Sequence, residues 1–137
     1  MELYHQTENI TVTGILVRDF PEKIKEAFDS LFNILGAERD YFGISWMDEN
    51  GKVVYYAMAR EAFAGEGRLH GYDLLTIEKG SYKTEVIRNW MSKTGSIKDV
   101  LHNLMGNNTP GAGNPCIEWY RSDEEMLCMV KADIDEY

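Results

Sequence analysis

The chain has 137 residues, 44% of them apolar and 12% aromatic, enough for one domain with a substantial core and too apolar for a disordered tail. Fourteen Lys and Arg against 23 Asp and Glu give a formal charge of −9. That balance argues against binding that works by neutralising nucleic-acid phosphates, and it favours cations, basic protein surfaces or cationic amphipaths as partners.

The N-terminal MELYHQTENI lacks the basic and apolar regions of a signal peptide. No apolar run approaches the ~18 residues needed to span a bilayer. A cytoplasmic location without a membrane partner is therefore expected. NITVTGILVRDF reads as β, rich in branched side chains. DFPEKIKEAFDSLFNILG is the clearest helix: Ile24, Ala27, Phe28, Leu31, Ile34 and Leu35 form one apolar stripe. Asp19 with Glu22 resembles a capping box, Pro21 suits the first turn and Gly36 supplies a stop.

ISWMDENGKVVYYAMA reads as a hairpin turning at Asn50-Gly51, and CIEWYRSDEEMLCMVKA as a second one. Between them, YDLLTIEKGSYKTEVIRNW predicts a long bent strand with a glycine bulge at Lys79-Gly80. SIKDVLHNLMG predicts a shorter helix, capped by Ser96 with Asp99 three residues on and closed by Gly106. AFAGEGRLHG (62–71) and GNNTPGAGN (106–114) read as loops; neither has a phosphate-loop pattern. Cys116 and Cys128 lie within apolar strands and read as reduced, buried thiols. With His5, His70 and His102 scattered, no metal site is expected, and no cofactor motif is present.

Shifting the chain by 73 residues lays Ile24, Lys25, Phe28 and Leu31 on Ile97, Lys98, Leu101 and Leu104. The same shift lays Ile44, Trp46, Val53, Val54 and Ala59 on Ile117, Trp119, Met126, Leu127 and Ala132. Upstream, LVRDF matches VIRNW at a shift of 70. The predicted fold is therefore α+β: duplicated β-α-β-β units with pseudo-twofold symmetry, antiparallel sheets with both helices on one side, and a cleft between the halves. Repeat 1 runs from about residue 2 to 63 and repeat 2 from about 72 to 135, as one domain over 1–137 with AGEGRLHG as the seam.

The duplication isolates one residue. Glu118 stands in CIEWY where the first copy, GISWM, has Ser45, so the fold does not demand an acid there. Strand alternation puts Glu118 on one face with Cys116 and Tyr120, and Ile117 and Trp119 on the other. If Ile44, Trp46, Ile117 and Trp119 form the helix-packed set, then Glu118, Tyr120, Ser45 and Met47 face the cleft, with Tyr55 as a neighbour. The plainer alternative is a structural acid paired with Arg60 or Lys131. For Trp46 and Trp119, core packing competes with ligand contact. Phe20 and Trp90, which precede their helices, read as core staples.

LLTIEKGSYKTEVI, a helix and PCIEWY…EMLCMVKADI together resemble the GyrI-like family, from about residue 2 to residue 135. That family is the effector-binding domain of bacterial multidrug-sensing transcription activators, found also as standalone cytoplasmic proteins and as gyrase inhibitors. The resemblance implies a buried Glu that meets a lipophilic cation among aromatic rings. By position this Glu is Glu118, with Tyr120 two residues on and Tyr82 in KG-x-Y. Such a pocket suits a delocalised cation through ion pairing and cation–π attraction.

All 137 residues are taken up by the two repeats, so no DNA-binding domain and no direct nucleic-acid contact are expected. Three functions follow: a small-molecule-binding protein for amphipathic, cationic or aromatic compounds; a hydrolase of electrophiles using Glu118 as acid or base; or an acidic inhibitor of a topoisomerase-like protein partner. The last would use Asp123-Glu124-Glu125 and Asp133-Asp135-Glu136.

Overall fold

The computed structural model describes residues 2–106 and 110–132. The second acidic group, at 133–136, and positions 107–109 of the second loop lie outside the described residues. The chain forms β1 (Glu2–Gln6), β2 (Ile10–Leu16), α1 (Ile24–Leu35), β3 (Tyr41–Met47), β4 (Val53–Arg60), α2 (Glu66–Leu69), β5 (Asp73–Ile77), β6 (Gly80–Arg88), α3 (Thr94–Met105), β7 (Cys116–Tyr120) and β8 (Glu125–Lys131), with a 3-10 turn at Trp90–Ser92.

All eight strands join one antiparallel sheet, in the order β1-β6-β8-β7-β3-β4-β2-β5. β1 and β2 stand near opposite ends of that order, yet only residues 7–9 separate them. Three residues reach roughly 10 Å, so the sheet must curl to bring its ends towards each other, giving a half-barrel. The single bent strand expected across Lys79-Gly80 is instead two strands, joined by the second such crossing and not by a bulge: Gly80, at φ 137°, starts β6 near one end of the sheet after β5 at the other.

The register carries the duplication. Ile44 pairs with Ile117 across β3 and β7, and these residues are 73 apart, so the pseudo-twofold axis passes between them. Ile44 opposes Tyr56 as Ile117 opposes Met129, again at an offset of 73. The strands before the helices differ: Leu16 opposes Tyr56 whereas Thr84 opposes Met129, an offset of 68 rather than 70. The two-residue slide keeps side chains on the same face.

Inside the curl, Ile10, Val12, Phe42, Ile44, Met58, Ile77, Tyr82, Ile117, Leu127 and Met129 form one core. Trp46, Trp119, Tyr4 and Tyr56 pack at its margins. The helices cover the other face. α1 packs on Val17, Tyr41, Tyr55, Ala57 and Ala59 through Leu31 and Leu35; α3 packs on Ile87, Met126, Cys128 and Val130 through Leu101, Leu104 and Met105. This reverses the expected faces: Ile44, Trp46, Ile117 and Trp119 line the curl, and the helix-packed strand face is the one bearing Cys116, Glu118 and Tyr120. Periodicity cannot choose between two faces that are both apolar.

Gly36 and Gly106 end the two long helices, each N–H reaching the carbonyl four residues back. The caps differ from expectation. Lys23 and Lys93 occupy the N-cap positions without side-chain caps, and Asp19 instead accepts the Lys23 N–H through its carbonyl, so no capping box forms. The seam at 62–71 is not all loop: α2 sits there, tied down by Glu66, whose carboxylate takes both Arg39 guanidinium nitrogens at 2.5 and 3.1 Å and the Ala62 N–H. Among the described residues, no helix is long and apolar enough to cross a membrane.

Candidate functional site

β3 and β7 are the central pair of the sheet. α1 packs mainly over β4, and α3 over β8 and β6. The helix-side face of the central pair thus lies between the two helices and carries Tyr41, Gly43 and Ser45 on β3 and Cys116, Glu118 and Tyr120 on β7.

Glu118 stands opposite Gly43. Its Oε1 accepts the Tyr120 hydroxyl at 2.5 Å and the Tyr55 hydroxyl at 3.2 Å, and the two phenol oxygens lie 3.1 Å apart. The three side chains form a closed triangle of oxygens. Aromatic rings wall it in: Phe20 stacks on Tyr55 at 5.3 Å, Trp90 lies 5.0 Å from Tyr120, and Phe28 of α1 meets Tyr120 edge-on at 5.4 Å. Glu118 and Tyr120 are densely surrounded yet keep a narrow strip of accessible surface, whereas Tyr55 is only 3% exposed.

No Lys, Arg or His pairs with Glu118 among the described residues. The cations of the alternative reading are engaged elsewhere: Arg60 with Glu8 and Asp40, Lys131 with Glu78. Burial therefore pushes the Glu118 carboxyl above the ordinary carboxylate range, and the hydrogen bonds from Tyr120 and Tyr55 offset part of that rise. Burial and the adjacent carboxylate hold the Tyr55 and Tyr120 phenols well above their usual range. The same two causes push Cys116 up to about 11 and Cys128 up to about 12, so both are protonated thiols at neutral pH.

Of the six site residues expected from sequence, the structure brings Glu118, Tyr120 and Tyr55 together. Ser45 lies further along this face, opposite both Tyr55 and Cys116, and Met47 lies at the exposed strand end opposite Val53. Tyr82 does not join them. It is buried inside the curl, on the other face of the sheet, and donates to the Glu78 carbonyl at 2.6 Å.

Gly43, Phe20, Phe28 and Trp90 belong to the site as well. Phe20 covers Tyr55 and remains 38% exposed, so it does not staple the core as expected; Trp90 does pack against the α3 core and also lies over Tyr120. Gly43 carried a readable signal, since glycine inside a strand marks a close approach. The pseudo-symmetric counterparts of Glu118, Tyr120, Tyr55 and Gly43 are Ser45, Met47, Cys128 and Cys116. The acid and its phenols therefore occur on one side of the pseudo-twofold axis only.

Among the described residues, no group of three or more His, Cys, Asp and Glu is placed to hold a metal ion. A surface groove of ≈ 370 Å³ at the β2–α1 junction, bordered by Arg18, Lys23 and Glu26, does not reach Glu118. Of the acidic turn Asp123-Glu124-Glu125, Glu125 is taken up by Arg88 and Arg121.

No family model matches the sequence, and no curated protein matches it. Solved structures do match its fold. SAV2435, in a structure bound to tetraphenylphosphonium, aligns with a TM-score of 0.66 at 14% identity, over 99% of this chain and 96% of its own. The integron cassette protein VCH_CASS2, from the mobile metagenome of Vibrio cholerae, aligns with a TM-score of 0.66 at 13% identity, over 96% and 99%. A protein of Staphylococcus aureus MU50, whose name is that of a bacterial transcription regulation protein, aligns at 0.61 and 16% identity, over 96% and 97%. The shared feature is a curled antiparallel α+β fold of a kind that holds a cationic aromatic ligand in one neighbour.

Proposed function

We propose that this chain is a small-molecule-binding protein of the GyrI-like type, whose interhelical site takes up amphipathic cationic, aromatic compounds. The observation that carries the reading is a carboxyl group enclosed by aromatic rings, bonded to two phenols and, among the described residues, given no cation of its own. An ionised carboxylate in such a place is costly until a positive charge joins it. A delocalised cation supplies that charge and loses little hydration in doing so, while Phe28, Trp90 and Phe20 offer π faces. Both phenol bonds fall on Oε1, which leaves Oε2 to face the guest. Entry requires the covering rings to turn aside. A fold neighbour's complex with tetraphenylphosphonium supports the choice of ligand class.

Titrating a lipophilic cationic dye into wild type and Glu118→Gln tests the reading. We expect the variant to bind about tenfold more weakly or worse, the loss of one charge-assisted contact; equal affinities would sink it. A second reading draws on the raised carboxyl beside two phenols, which is the constitution of a general acid or base. There Glu118 would activate water against an electrophile. Its mark is time-dependent consumption of an electrophilic substrate that Glu118→Gln abolishes.

A further inference from the structure

Gly43 occupies the middle of β3, where glycine weakens a strand by removing side-chain packing and adding backbone freedom. Its backbone does not lie in the left-handed region, so conformation does not call for glycine. The fold does not call for it either: the pseudo-symmetric position holds Cys116, buried and accommodated on the same face of the sheet. What is particular to Gly43 is what stands over it. A Cβ built there would fall 2.1 Å from the Tyr55 hydroxyl, 2.8 Å from that ring's Cζ and 2.7 Å from Glu118 Oε1. These are the atoms of the acid–phenol triangle.

We propose that Gly43 is the positioning residue of the acid site. By withholding a side chain opposite Glu118, it gives the Tyr55 hydroxyl and the carboxylate the one place where they meet. Any larger residue displaces one or both. Tyr55 cannot yield freely, because its ring is buried against Phe20. The consequence for guest binding rests on the cation-binding reading above; the consequence for the triangle does not.

Gly43→Ala, Tyr55→Phe and the double variant decide the matter by three measurements. In urea denaturation, Gly43→Ala lowers the midpoint in the Tyr55 background, and the lowering is smaller in the Tyr55→Phe background, where the nearest of the three clashing atoms is gone and the ring Cζ and Glu118 Oε1 remain. By carbon-detected NMR titration, the Glu118 carboxyl in Gly43→Ala titrates at higher pH than in wild type, having lost a phenol donor. Tetraphenylphosphonium binds Gly43→Ala about tenfold more weakly than wild type. An equal midpoint loss in both backgrounds, with an unmoved Glu118 titration, overturns the inference. If wild type does not bind tetraphenylphosphonium, the cation reading fails, and the denaturation cycle and the titration still judge Gly43. If wild type binds and Gly43→Ala binds equally with the same titration, the Gly43 role fails and the cation reading stands. Should Gly43→Ala not fold alone while the double variant does, that rescue supports the inference.

Discussion

Replacing Glu118 by Gln keeps the side chain's shape and removes its charge, which turns its environment into a measurable pH dependence. Burial holds the carboxyl above its ordinary range in the folded chain. The native state therefore binds more protons than the unfolded state between the two values, and stability falls as pH rises through that window. The loss starts near the unfolded value of about 4.3 and is complete once pH passes the folded value. One proton corresponds to a slope of about 1.4 kcal/mol per pH unit at its steepest. Gln does not titrate. The difference in unfolding free energy between wild type and Glu118→Gln should follow this slope and flatten on either side, the variant gaining relative stability towards neutral pH. Glu66 acts in the opposite sense, since Arg39 holds its carboxyl low and its contribution is lost on acidification. It is common to both chains and cancels. Urea midpoints measured across about pH 4 to 8 give the comparison. Parallel profiles for the two chains would show that Glu118 is not held in an unfavourable environment, and the reasoning from burial without a counter-cation would be wrong.

Three further outcomes follow from the same geometry. Cation affinity should strengthen as pH rises through the Glu118 window, because a guest cation selects the ionised carboxylate; calorimetry in two buffers of different ionisation enthalpy should detect the released proton, and pH-independent affinity would contradict this. Tyr82→Phe should leave cation affinity unchanged and cost about 1 kcal/mol of stability for its bond to the Glu78 carbonyl, whereas Tyr120→Phe should weaken binding; equal effects of the two would undo the assignment of faces. Arg39→Ala should destabilise the chain by about 3 kcal/mol by stranding Glu66, whose side chain is 8% exposed; a loss below about 0.5 kcal/mol, the size of an exposed pair, would mean that the seam is not held by this ion pair.

Much of the fold was legible because its signals are local. The α1 stripe, the Asn50-Gly51 turn and the offset of 73 each depend on residues close in sequence or on simple repetition, and the pairing of Ile44 with Ile117 carries the offset into the sheet. β1 went unread as a separate strand because a five-residue segment, ELYHQ, carries weak alternation; it becomes a strand by pairing with β6. The capping box misled because Asp19-Phe20-Pro21 resembles a helix start, while the chain is still turning there and the helix begins at Ile24.

The sequence by itself determined the two long helices, the two hairpins, their duplication and the singular acid. Glu118 stands out in the text because Ser45 stands in its place in the other copy. Tertiary structure decided which face of the sheet the helices cover, and so which tyrosines meet that acid. Tyr82 and Tyr120 look alike as strand aromatics, but the β7 and β8 registers put one inside the curl and the other beside Glu118. The physical reason is that alternation distinguishes two faces without naming them. Naming them takes the long-range closure of the sheet and the seating of the helices, and with those the bare position of Gly43 becomes the floor on which the carboxylate and the phenol meet.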